Sequence, residues 1–137
     1  MRFNTIEHTA DIGIEVEASS LEELFAGAGQ AMFSIMVEEG TVEPALRREV
    51  CLDATDLPEL MFKWLNELIF LVSAQRLLLC EFEVKIAGEQ RLEAVVKGEE
   101  IDPARHGLEL EIKAATYHDM EVLRRGEEWY ARVIFDV

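Results

Sequence analysis

The chain has 137 residues, half of them apolar, which suits one domain with material for one core. Its 28 Asp and Glu against 13 Lys and Arg give a formal net charge of −15. That excess argues against direct binding to nucleic acid or to an anionic membrane, since both rest on cations. It suits a basic protein partner, bound cations or plain solubility.

Cys51 and Cys80 are too few and too scattered for a disulfide framework. Each sits in an apolar or alternating run, so both read as buried small hydrophobes in a reducing, cytosolic setting. "MRFNTIEHT" lacks the long apolar stretch of a signal peptide, and runs such as "LIFLV" are far too short to span a membrane. A soluble, cytoplasmic protein is expected.

In chain order, "DIGIEVEA" alternates, with Ile12, Ile14 and Val16 on one face, and reads as a half-buried strand. "SSLEELFAGAGQAMFSIMV" follows with helical spacing. Ser20 and Glu23 form a capping box, and Gly27 and Gly29 weaken the helix somewhat. After a loop around Pro44, "REVCLDA" reads as a short strand. "DLPELMFKWLNELIFLVSAQ" is the strongest helix. Asp56 caps it with Glu59 at the third position, and apolar residues wrap much of its circumference, so it should be largely buried.

The rest alternates with period two: "CEFEVKIA", "RLEAVVKGE", "LELEIKAAT", "MEVLRR" and "EEWYARVIFDV" are strand candidates, with a hairpin turn through Gly126 between the last two. The expected fold class is α+β: two helices packed on a mixed, mostly antiparallel β-sheet, in a single domain.

Four stretches could carry chemistry. In "EHTAD", His8, Thr9 and Asp11 fall within four positions, as a metal or proton-transfer site would need. The plainer reading is that Thr9 and Asp11 bond turn backbone. In "RVIFDV", an apolar strand ends on the Asp136 side chain and the Val137 carboxylate. Two such groups repel, and a hard, oxygen-seeking cation relieves the repulsion; the plainer reading is a solvated acidic tip. In "EIKAATYHDMEV", Lys113 interrupts an alternating strand, and His118 with Asp119 sits where a strand should turn. A surface charge and a hydrogen-bonded turn residue are the usual meanings; a phosphate or acidic contact is the sharper one. "GEEIDPARHG" reads as an acidic loop, in which Asp102–Pro103 favours a turn. The chain has no zinc spacing, phosphate-cradling glycine loop or nucleophile elbow.

Taken together and in order, "HTADIGI", "SLEELFAGAGQAMF", "WLNELIFL", "GEEIDPARHGLELEIKAATYHDMEV" and "VIFDV" cover nearly the whole chain. The set closely resembles the archease family, with Ala115 a conservative change where valine is common. The resemblance implies one archease domain over 1–137 that is not itself an enzyme. It implies a protein cofactor of the RtcB-type, GTP-dependent tRNA-splicing RNA ligase, promoting ligase guanylylation and repeated turnover. It implies a metal site of Asp11, Asp136 and the Val137 carboxylate, and a functional role for Lys113. The implied ion is Ca²⁺, with Mg²⁺ or Mn²⁺ as alternatives; His8, Thr9 and His118 are supporting candidates. The ligase is the expected partner, and tRNA is met only through it. Two rival readings are a stand-alone metal-dependent phosphoesterase using His8, Asp11 and His118, and a chaperone-like adaptor with a structural ion.

Overall fold

The computed structural model describes residues 1–7 and 11–137. Among the described residues it contains two helices and seven strands: β1 (Arg2–Glu7), β2 (Asp11–Ala18), α1 (Leu21–Met36), β3 (Leu46–Asp53), α2 (Leu57–Gln75), β4 (Leu77–Ala87), β5 (Arg91–Glu100), β6 (Ala114–Arg125) and β7 (Glu128–Asp136). The α+β expectation holds. The strands divide between two sheets, ordered β1-β2-β7-β6 and β3-β5-β4, and every pairing between them is antiparallel. Period-two patterning tells inside from outside but does not name a strand's partner.

Both helices start where the sequence says. Ser20 accepts the Glu23 N–H at 3.1 Å and Asp56 accepts the Glu59 N–H at 2.9 Å. The Glu23 carboxylate accepts the Ser19 hydroxyl and Glu59 accepts the Thr55 N–H, so each acid serves the residue before the cap. The Trp64 indole N–H, fully buried, donates to the Phe25 carbonyl at 2.8 Å and joins α2 to α1. Phe82 of β4 meets Phe33 and Trp64, with ring centroids 5.8 and 6.4 Å away. Gly29 lets the ring sit close at that junction: a Cβ there would lie 3.0 Å from the Phe82 ring, which would have to give way slightly. No described helix is long and apolar enough to cross a membrane.

The last strand, β7, lies in the interior of its sheet between β2 and β6, which is why "RVIFDV" is so apolar. Val133 and Phe135 are fully buried and Ile134 nearly so, so both faces of the strand are covered rather than one. Gly13 makes room on the second face: a Cβ there would meet Ile134 Cδ1 at 2.7 Å.

Four local readings change. The opening residues form β1, an exposed edge strand whose sequence does not alternate and which exists through its ladder to β2. "LELEIKAAT" and "MEVLRR" are not two strands: residues 109–113 join no ladder, and 114–125 form one strand whose register breaks between Thr116 and Glu121. His118 and Asp119 therefore sit in a bulge, with Asp119 at φ 51°, not in a turn. Cys51 is exposed and Cys80 half-buried, because on β3 the alternation turns Val50 inward and Cys51 outward. The hairpin at Gly126 (φ 63°) is as expected, with Arg125 paired to Glu128.

Candidate functional site

The corner where β2, β7 and β6 meet collects most of the candidates. Asp11 opens β2 and pairs in register with Asp136, the last residue of β7. Ala114, the first residue of β6, pairs with Asp136 from the other side. The Lys113 N–H donates to the Asp136 carbonyl at 2.8 Å, so the backbone beside the lysine is fastened to the acid. Asp136 and Lys113 are exposed, while Asp11 and Val137 are half-buried.

In antiparallel register, the Cβ atoms of directly opposed residues lie about 4.5–5.5 Å apart, and like charges there destabilise the sheet. The sequence tolerates this at Asp11 and Asp136, on a chain that is already acidic. A hard cation fits that donor set: two carboxylate side chains brought together by the ladder, and a main-chain carboxylate one residue further on. Among the described residues no three Asp, Glu, His or Cys side chains converge as ligands.

His8 and Thr9 lie outside the described residues. His118 does not join the corner. It is exposed in the β6 bulge, its ring Nε2 lies 3.3 Å from Asp119, and its N–H donates to the Thr116 hydroxyl at 3.3 Å.

Two polar side chains with structural roles escape the sequence reading. Asn66 of α2 grips the outer edge of β6: its side-chain oxygen accepts the Ala115 N–H at 3.0 Å and its amide donates to the Ala115 carbonyl at 3.2 Å. The amide stands in for a missing neighbouring strand, one residue from the Ala114–Asp136 pair. A polar residue amid the apolar run "KWLNELIFL" was the available signal. Beside it Phe62 stacks on Tyr117, with ring centroids 4.1 Å apart, and ties α2 to the bulge.

The second is His106, whose residue is only 4% exposed within the loop read as a simple turn. Its Nδ1 accepts the Asp102 N–H at 2.9 Å, which leaves the proton on Nε2, 3.2 Å from Glu99. Glu99 also accepts the Glu43 N–H and the Arg105 guanidinium. The Glu43 N–H first, then the His106 and Arg105 hydrogen bonds, hold its carboxyl down at about 2. This knot pins the loops on either side of Glu99 to the sheet; it is a structural feature, separate from the acidic corner.

The Archease protein family (MTH1598/TM1083) matches residues 3–137. A Methanosarcina acetivorans protein named protein archease is 36% identical over 140 residues, covering 99% of this chain and 96% of that one. A Pyrococcus abyssi protein of the same name is 37% identical over 140 residues, covering 99% of both. The solution structure of Methanobacterium thermoautotrophicum protein 1598 superposes with a TM-score of 0.87 at 36% identity, over 98% of each chain. A Thermotoga maritima crystal structure, described as an archease and possible chaperone, superposes with a TM-score of 0.63 at 26% identity, over 100% of this chain and 98% of that one.

Proposed function

This chain belongs to the archease family, and on that footing we propose that it activates an RtcB-type, GTP-dependent tRNA-splicing RNA ligase in the cytoplasm, promoting guanylylation of the ligase and its repeated turnover. In this reading it is a protein cofactor and not an enzyme. The observation that carries the reading is the register of Asp11 with Asp136, with Lys113 fastened to the Asp136 carbonyl.

Asp11, Asp136 and the Val137 carboxylate would hold a divalent ion, Ca²⁺ first and Mg²⁺ or Mn²⁺ after it. When bound, the ion supplies positive charge to a site that is otherwise anionic. The chain's own residues do the rest. The two carboxylate-bearing strands fix the spacing of the donors. Lys113, exposed beside them, supplies a cation for a phosphate or for a carboxylate of the partner. The acidic tip docks against a basic nucleotide-binding surface, where complementary charge speeds encounter and sets orientation. Nucleotidyl transfer needs charge neutralisation and in-line geometry more than new covalent chemistry, and a docked tip can help provide both.

The test combines a limiting amount of the ligase with GTP, divalent metal and excess broken RNA. It is run without this chain, with it, and with a folded Asp136→Ala variant. Many cycles of joining with the wild-type chain alone support the proposal. Equal turnover in all three arms overturns it. A chaperone-like adaptor, a reading that the Thermotoga relative's description as a possible chaperone favours, has a different signature. Asp11→Ala would then lower thermal stability yet spare activation.

A further inference from the structure

The stretch between β5 and β6 has the sequence of a strand without a ladder. Leu108, Leu110 and Ile112 alternate with Glu109, Glu111 and Lys113, yet residues 109–113 pair with no strand. Leu108 makes a single bridge to Val37, the Glu109 N–H donates to the Met36 carbonyl at 3.0 Å, and the next anchor is Lys113 on Asp136. Between those anchors, among the described residues, the N–H groups of Leu110, Glu111 and Ile112 donate to no backbone or side-chain acceptor.

Leu108 is 48% exposed and Leu110 is 38% exposed. With Ile112, and with Ile69 and Val72 of α2, they line an open groove of about 400 Å³. Glu109 and Glu111 also line it, against one cation, Arg76.

We propose that this groove receives an extended, basic segment of a partner protein, which pairs with the Leu108–Ile112 backbone as an added strand. Strand addition draws affinity from main-chain hydrogen bonds and specificity from alternate side chains, and this stretch offers unmet donors and an alternating pattern. Proteins commonly cover or blunt such exposed edges. Apolar residues of the incoming segment fill the groove, and its Lys or Arg residues meet Glu109 and Glu111 on a chain of net charge −15. A second copy of this chain is a poor occupant, since self-pairing sets Glu against Glu. RNA is another, since leucine and glutamate offer nothing to phosphate. The inference stands apart from the ligase reading: it needs a basic partner, whichever that proves to be. The segment leads directly into Lys113 and the acidic corner.

The test uses the full chain, without metal, ligase or RNA, so its failure is distinct from failure of the ligase reading. The probe is a capped seven-residue peptide alternating lysine and valine, compared with a lysine–serine peptide of equal charge. Amide NMR should show shifts confined to the groove and slowed exchange at Leu110 and Ile112, whose N–H groups alternate with the inward-bonded ones of Glu109 and Lys113. The double variant Glu109→Lys/Glu111→Lys should bind at least tenfold more weakly, and Leu110→Ser should bind severalfold more weakly. Absence of binding, equal binding of the serine peptide, shifts centred elsewhere, unchanged exchange at Leu110 and Ile112, or full affinity in the double variant would each overturn the proposal.

Discussion

Replacing Asn66 with alanine removes two hydrogen bonds that fasten the edge of β6 to α2. A third, to the Phe62 carbonyl at 3.0 Å, costs little to lose, since that carbonyl lies inside a helix and keeps its backbone partner. The N–H and C=O of Ala115 are the groups at stake, on a residue only 3% exposed. A stranded backbone group costs about 1–3 kcal/mol, and water entering beside the half-buried Asn66 position holds each near the lower bound, for about 2 kcal/mol together. Alanine returns about 0.5 kcal/mol in helix propensity. The net loss is about 1.5 kcal/mol, which at this chain length lowers Tm by about 5 °C. Urea unfolding should show a lower midpoint with an unchanged slope, and the Ala115 amide should exchange faster. Asn66→Asp keeps the acceptor for the Ala115 N–H but turns a carboxylate towards the Ala115 carbonyl, so it should cost at least as much. A loss below about 0.5 kcal/mol with unchanged Ala115 exchange would refute the clamp, for then water substitutes for the amide without penalty.

Glu99 has its pKa depressed from an ordinary 4.5 to about 2, so the stability it contributes is whole above 4.5 and is lost as pH falls towards 2. In that window the unfolded chain binds about one proton more than the folded one at this site; Glu99→Gln should flatten the stability–pH curve there, and parallel curves would sink the assignment. Gly98→Ala should fail to fold or lose more than about 3 kcal/mol, because its Cβ would sit 1.8 Å from the Leu78 carbonyl oxygen where the β4–β5 register shifts. A urea midpoint near that of the wild type would contradict it. In metal-free buffer Asp136→Asn should stabilise the fold by up to about 1 kcal/mol by ending the repulsion with Asp11, and added Ca²⁺ should raise the Tm of the wild type but not of the variant. A glycine appended after Val137 should weaken Ca²⁺ binding about tenfold, and unchanged affinity would remove that carboxylate from the ligand set.

What was legible in the sequence is what local chemistry decides. Ser20 and Asp56 announce their helices, Gly126 its hairpin, and Ile12, Ile14 and Val16 a strand face. The proximity of Asp11 to Asp136 was legible only through resemblance, since nothing within either motif says which strand it will meet. β1 was invisible because it lacks alternation and is held by its neighbour. The bulge through His118 hides because an unpaired stretch inside a strand has turn-like residues and no turn. Asn66 was missed because its backbone partner, Ala115, is distant in sequence, and His106 because only the fold buries it against Glu99.

The adjacency of β2 and β7 has a kinetic side. These middle strands of the four-stranded sheet are separated by almost all of the intervening sequence, including the whole β3-β5-β4 sheet and both helices. Loop-closure entropy grows only logarithmically with that separation, so the equilibrium toll is small, but contacts this non-local slow the folding search. No partly folded form with only local pairings sets Asp11 beside Asp136. An ion favouring that pair would therefore discriminate between the complete fold and everything short of it. Its presence would be felt as slower amide exchange deep in the β3-β5-β4 sheet, which holds none of the pair's residues, wherever exchange there waits for the whole molecule to open.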